Sequence, residues 1–216
     1  MPNALKHGLL PPPDKMKRLP IDARGYPVPW FVAWINGEPD FRVIKPQATE
    51  IAHDKGLCWL CGGRMGSYKS FVVGPMCTIN RVSPEPPSHL SCAEYAVVAC
   101  PFLTQPKMVR SPREMPTEAK VPPGVMIERN PGVTCIWTTR QYSLIEANGG
   151  MLFSMGPPDN VEWFSRGRHA TWDEVNDAIA SGMPILQKMA EEEGKDAEAE
   201  LLKRHSHVIS HYLPEE

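Results

Sequence analysis

No apolar run in this 216-residue chain approaches the ~20 residues needed to span a bilayer. The N-terminus offers only Leu9 and Leu10 before it meets Pro11, Pro12 and Pro13, so it does not read as a secretory signal. A Gly-x-x-x-x-Gly-Lys phosphate loop, a Gly-x-Ser-x-Gly elbow and a Gly-x-Gly-x-x-Gly turn are all missing, and there is no internal repeat. These absences point away from membrane spans, common nucleotide folds and α/β-hydrolases. They point toward a cytoplasmic, intracellular globular protein.

Proline is what the chain has in excess, with 24 residues against an ordinary usage of ~5%. Proline supplies no backbone donor and stops helices, so loops and short strands are expected. The hydrophobic fraction of 42% is that of a globular protein, and at this length about 70% of the chain's surface can be buried. The net charge of -2 hides an asymmetry, because residues 173–216 carry 11 acidic and 4 basic side chains. The mildly basic remainder could meet nucleic acid, or the acidic stretch could simply be a set of solvated helices.

The pattern along the chain predicts an α+β fold: a treble-clef-like zinc module, antiparallel β hairpins and C-terminal α-helices. Residues 1–25 show no periodicity and read as a flexible arm. Residues 26–103 form a zinc-binding α+β module, 104–123 a proline-rich linker, and 124–216 β-hairpins followed by helices. Hairpin signals stand at Asn36-Gly37, Asn130-Pro131-Gly132 and Asn148-Gly149-Gly150. The strands they predict are Trp30 to Ile35 with Phe41 to Ile44, Val125 to Glu128 with Val133 to Thr139, and Tyr142 to Glu146 with Met151 to Met155. A helix runs from Pro46 to about His53. Thr171-x-x-Glu174 is a capping box that opens a helix, which Gly182 and Pro184 break. A second helix covers Pro184 to about Glu193. A third carries Leu201, His205, Val208 and Tyr212 on one stripe.

Six cysteines without an export signal favour metal over disulfides. Cys58 and Cys61 form a C-x2-C pair, and His89 and Cys92 an H-x2-C pair, with 27 residues between the pairs. Two pairs of soft donors at this spacing predict a structural zinc site. Gly62 and Gly63 permit the tight turn that aims both sulfurs at one ion. Ser88 is a natural N-cap, with Ser91-x-x-Glu94 as a competing capping box, so His89 and Cys92 share the first turn of a helix. Cys77 is an alternative fourth ligand. Cys100 and Cys135 read as core residues. His207 and His211, at i and i+4, could belong to a second metal site or to a surface pair.

Knuckle, following hairpin and two ligands from a helix start resemble the treble-clef group of zinc folds over about residues 45–103. Phe71, Val72 and Val73 would supply a strand of that hairpin. The whole chain is also similar to uncharacterised bacterial and phage proteins with a Cys-x2-Cys-Gly knuckle and a proline-rich stretch before His-x2-Cys. Treble clefs include HNH-type nucleases, whose catalytic histidine lies on the hairpin. Residues 62–88 here contain no histidine.

Asn80, Arg81 and Glu85 stand in a proline-rich loop before the zinc helix, either as binding residues or as braces of the loop. Three functions are compatible with the sequence. The first is a zinc-stabilised adaptor recognising a partner protein through that loop. The second is a nucleic-acid-binding protein or HNH-like nuclease relative, using Arg64, Lys69 and Arg81. The third is an enzyme acting on an unknown small molecule with Arg81, Glu85 and His53.

Overall fold

The computed structural model describes residues 3–105, 130–147 and 150–215. A 3-10 turn at Asp14–Met16 is followed by β1 (Val32–Ile35), β2 (Glu38–Ile44), α1 (Ala48–Asp54), β3 (Lys69–Val73), α2 (Pro75–Asn80) and β4 (Val82–Ser83). Then come α3 (Leu90–Ala99), α4 (Pro101–Thr104), β5 (Thr134–Thr139), β6 (Tyr142–Ala147), β7 (Gly150–Met155), β8 (Pro158–Ser165), β9 (Arg168–His169), α5 (Trp172–Glu193) and α6 (Lys195–His211). The fold is α+β, with every described strand pair antiparallel. The strand expected over 125–128, the linker from 106 to 123 and the turn residues Asn148 and Gly149 lie outside the described residues.

Two of the expected hairpins form. Asn36 and Gly37 both have positive φ, at 51° and 83°, as a tight β1–β2 turn requires. Strands β6 and β7 pair from Tyr142 with Met155 to Ala147 with Gly150.

The remaining pairing is long-range. One sheet has the order β3-β5-β8-β9 and another β4-β7-β6. Residues 26–103 and 124–216 therefore share two sheets. β5 is central and buried along its whole length. Side chains alternate across a strand, so each face of β5 needs its own cover. On one face Cys135 and Trp137 join Phe71, Ile79 and Trp163 beneath Val175 and Ile179 of α5 and Val208 of α6. On the other, Ile136 and Phe164 meet Ala93 and Val97 of α3. Burial of each such large apolar side chain contributes roughly 1.5–3 kcal/mol. Helix α3 is thus laid flat on the sheet, which fixes where its N-terminus points.

Three local expectations differ from the structure. The strand Lys69–Val73 forms, but its partner is β5; α2 follows it in place of a returning hairpin strand, and only the Ser70–Ser88 bridge closes back. Ser88 does not cap α3. Its N–H and carbonyl are both bonded to Ser70, at 2.8 and 2.9 Å, so the helix starts one residue later with His89 as N-cap. Helix α5 runs unbroken through Gly182 and Pro184. An interior proline costs about 3 kcal/mol. The carbonyl it frees belongs to exposed Ala180, while Ala178, Ile179, Gly182, Met183 and Leu186 stay buried on one stripe. At Gly182 a Cβ would come within 2.7 Å of the Met76 sulfur, so glycine permits the close approach of α2.

The capping box at Thr171 forms in full. The Glu174 N–H donates to Thr171 Oγ1 at 3.3 Å, and the Thr171 N–H to Glu174 Oε2 at 3.0 Å. Arg168 grips the same carboxylate with two 2.8 Å bonds, and Ser165 Oγ donates at 3.1 Å. Led by Arg168, these donors pull the Glu174 pKa down to about 2 from 4.5. A carboxyl depressed in the fold stabilises it above its unfolded pKa and loses that effect as pH falls. Wild type should therefore exceed Glu174→Gln in stability above pH 4.5, and the difference should close toward pH 2. Denaturant titrations of both proteins across this range measure it. A pH-independent difference refutes the assignment.

Candidate metal centre

The knuckle is a tight backbone turn. The Cys58 N–H donates to Gly63 O at 2.7 Å, and the Gly62 N–H to Cys58 O at 2.8 Å. Further N–H groups point at sulfur: Cys61 N–H and His89 N–H reach Cys58 Sγ at 3.4 and 3.3 Å, and Gly63 N–H reaches Cys61 Sγ at 3.4 Å. Such donors favour thiolate over thiol.

The ligand atoms of Cys58, Cys61, His89 and Cys92 all lie within 4.8 Å of one another, and all four residues are buried. His89 Nε2–H is committed to the Arg64 carbonyl at 2.8 Å. That leaves Nδ1 facing the sulfurs, 3.4 Å from Cys61 and 3.9 Å from Cys92. A tetrahedral ion with bonds near 2.3 Å to sulfur and 2.0 Å to nitrogen sets this separation at about 3.5 Å. The donor set and its spacing fit a metal ion. The backbone acceptor on the far nitrogen is the outer partner that fixes a ligating imidazole's tautomer.

Three crowded sulfurs cannot all carry charge unaided. Hydrogen bonds from the Cys61 and Cys92 thiols, then the two N–H donors, lower the Cys58 pKa. Its thiolate in turn raises Cys61 and Cys92. A bound cation removes this conflict.

The N-terminal segment contributes two residues that the sequence pattern did not mark. Met16 is buried against the cysteines and Tyr95. Arg18 Nη2 donates to the Cys61 carbonyl at 2.8 Å and comes within 3.4 Å of where a Gly63 Cβ would sit. Three thiolates and a neutral imidazole around a divalent ion would leave one negative charge, and Arg18 would lie beside it. Its only sequence signal was a basic run, Lys15, Lys17 and Arg18.

The other cysteines stay apart. Burial pushes Cys77 up to about 11, Cys135 up to about 12, and Cys100 upward, so these thiols remain protonated. His207 and His211 stack at 4.3 Å, but the metal set at Cys58, Cys61, His89 and Cys92 is the one such group among the described residues. His53 Nδ1 lies 3.0 Å from the Tyr142 hydroxyl.

Asn80, Arg81 and Glu85 do not act alike. Asn80 ends α2, and its carbonyl accepts from Arg204 Nη1 at 2.8 Å. Arg81 adopts φ 56°, and its guanidinium lies 5.7 Å from the Trp137 ring centroid. Glu85 shares two bonds with Ser83 Oγ through its backbone, at 2.8 and 3.1 Å. Its carboxylate adds to the upward push on Cys77 and Cys100, behind burial itself.

No protein-family model, curated protein or solved structure matches the chain. No helix among the described residues is long and apolar enough to cross a membrane.

Gly62 tests the knuckle. It has φ +66°, and a Cβ there would lie 2.3 Å from the Trp30 ring. Gly56 has φ +58° with nothing within 4 Å. Gly56→Ala should cost only the left-handed backbone penalty, about 1–2 kcal/mol. Gly62→Ala should cost clearly more and reduce metal retention. Melting temperature and metal content of both variants check this. Equal behaviour of the two contradicts the Trp30 contact.

Proposed function

We propose that this chain is a zinc-stabilised binding protein that recognises a partner protein through the segment leading into α3, with Arg81 as anchor. The observation that carries the reading is a buried set of four protein donors whose ligand atoms lie within 4.8 Å of one another. Four such ligands fill the positions of a structural zinc ion and leave none for a reactive water. The zinc is then a folding element. A knuckle joined to two ligands at a helix start is shared with treble clefs, although the returning hairpin strand is not, and that partial likeness supports a scaffold role. An HNH-type base has no candidate between the ligand pairs, because residues 62–88 lack histidine.

Arg81 supports the contact role because its backbone is pinned while its guanidinium is not. The Arg81 N–H donates to Thr78 O at 3.3 Å, and its carbonyl accepts from the Met155 N–H at 2.8 Å. The guanidinium has no hydrogen bond or ion pair among the described residues, and Nε is buried without a partner. A preset backbone lowers the ordering cost of binding, and arginine is over-represented at the energetic centres of interfaces.

One zinc per chain is expected by metal analysis of protein purified without chelator, and Cys61→Ser should lose it. Structural zinc supplies roughly 10–16 kcal/mol of apparent binding energy as folding energy. Chelation should therefore raise hydrogen exchange in residues 57–103 before the C-terminal helices. Unchanged exchange there, or wild-type zinc in Cys61→Ser, overturns the metal assignment.

Arg81→Ala should abolish partner binding, and with it the protein's effect in cells, while zinc content and melting temperature stay near wild type. Loss of zinc in that variant would make Arg81 a brace of the metal site. Cleavage of DNA or RNA by wild type and by zinc-replete Arg81→Ala alike would overturn the binding reading.

A further inference from the structure

The stripe of α6 that faces Arg81 carries four polar side chains. Glu200, Arg204, His207 and His211 follow at spacings of four, three and four, so they share one helix face. Arg204 ties that face to α2: Nη1 donates to the Asn80 carbonyl at 2.8 Å, and Nε pairs with Glu200 at 2.8 Å. His207 Nε2 lies 3.1 Å from the Tyr212 hydroxyl, and the Tyr212 ring stands edge-on to Trp137 at 5.2 Å. The Arg81 guanidinium covers that same Trp137. Arg81 and His207 thus flank one aromatic pair, from two elements remote in sequence.

Electrostatics agrees with this placement. Desolvation, then His211, then Arg81 lower the His207 pKa. Arg81 also adds to the pull, led by Arg204, that lowers Glu200. Glu200 is already engaged by Arg204 and, at 4.0 Å, by Lys203. The Arg81 guanidinium is left as a half-buried cation with no anionic partner of its own among the described residues. Half-buried charges without a counter-ion are costly, and an arriving oxyanion with several acceptors relieves that cost.

We propose that Arg81, Arg204 and His207 form a binding site for a phosphoryl group, with Arg81 as the principal contact. Donors arriving from the end of α2 and from α6 suit a tetrahedral oxyanion better than a planar carboxylate. A guanidinium fork, a second guanidinium and an imidazole can each take a different oxygen. The site rests on the reading of Arg81 as a contact residue and names the chemistry it would contact, a phosphorylated group. The phosphate titration is made on the isolated protein, so its outcome is independent of whether any partner is bound.

Titration of the zinc-replete full chain with inorganic phosphate, followed by the Arg81 Nε–H and His207 ring resonances, tests the proposal. Both signals should shift saturably with one affinity. Arg81→Gln should weaken that affinity about tenfold or more, the effect of losing a charge-assisted hydrogen bond. His207→Gln, on the other element, should weaken it measurably and serves as the second variant should Arg81→Gln fail to fold. Acetate at matched ionic strength should bind far more weakly. Three results overturn the site: no saturable shift of either signal, acetate binding as well as phosphate, or wild-type phosphate affinity in folded variants at both positions. If phosphate binds as expected while partner binding survives Arg81→Ala, the anion site stands and the partner-recognition reading fails.

Discussion

A strand buried on both faces cannot stand alone, and β5 is such a strand. All six residues of Thr134–Thr139 are buried, so hydrogen-bonded neighbours must flank it and helices must cover it above and below. β3 and β8 supply the flanking strands, α5 and α6 one cover, and α3 the other. Polar members of the strand are satisfied internally, as where Ser70 Oγ and Thr138 Oγ1 meet at 2.9 Å. The position of α3, and so of His89 and Cys92, follows from this demand rather than from the metal site itself.

The buried Cys3His cluster poses a different problem, the handling of charge in a buried place. Its sulfurs receive N–H donors from the knuckle and from the start of α3, its imidazole is held by the Arg64 carbonyl, and Arg18 stands outside the ring of ligands. Each partner offsets part of the cost of burying thiolates. The aromatic wall beside it belongs to the same arrangement. Trp59 stacks on Phe31 at 4.5 Å and meets Trp30 edge-on, which brings the β1–β2 hairpin against the knuckle.

Features set by a few neighbouring residues were legible in the sequence. The Asn36-Gly37 turn, the Thr171 capping box, the stripe of α6 and the four converging metal ligands all depend on local spacing. Features set by contacts between distant segments were not. Nothing near Gly182 or Pro184 reveals that sheet packing carries α5 through them. Nothing near Phe71 says that its partner is Trp137 rather than a hairpin strand. Strand β8 opens with Pro158, Asp159 and Asn160, residues that favour turns, so local preference gives no strand signal there and tertiary pairing with β5 overrides it. Arg18 was missed because a basic residue without periodicity resembles any solvated charge.

The pairing of β3 with β5 also sets an order of events during synthesis. All four candidate metal ligands and β3 are synthesised before Thr134, and at about 5–20 residues per second the interval lasts seconds. During it the edge of β3 has no strand to pair with, a condition that invites association with other chains. A nascent knuckle already closed on its ion, with Ser70 bridged to Ser88, would hold that edge in register until its partner emerges. Metal bound during translation would then act on the yield of folded protein, apart from any effect on the stability of the finished molecule.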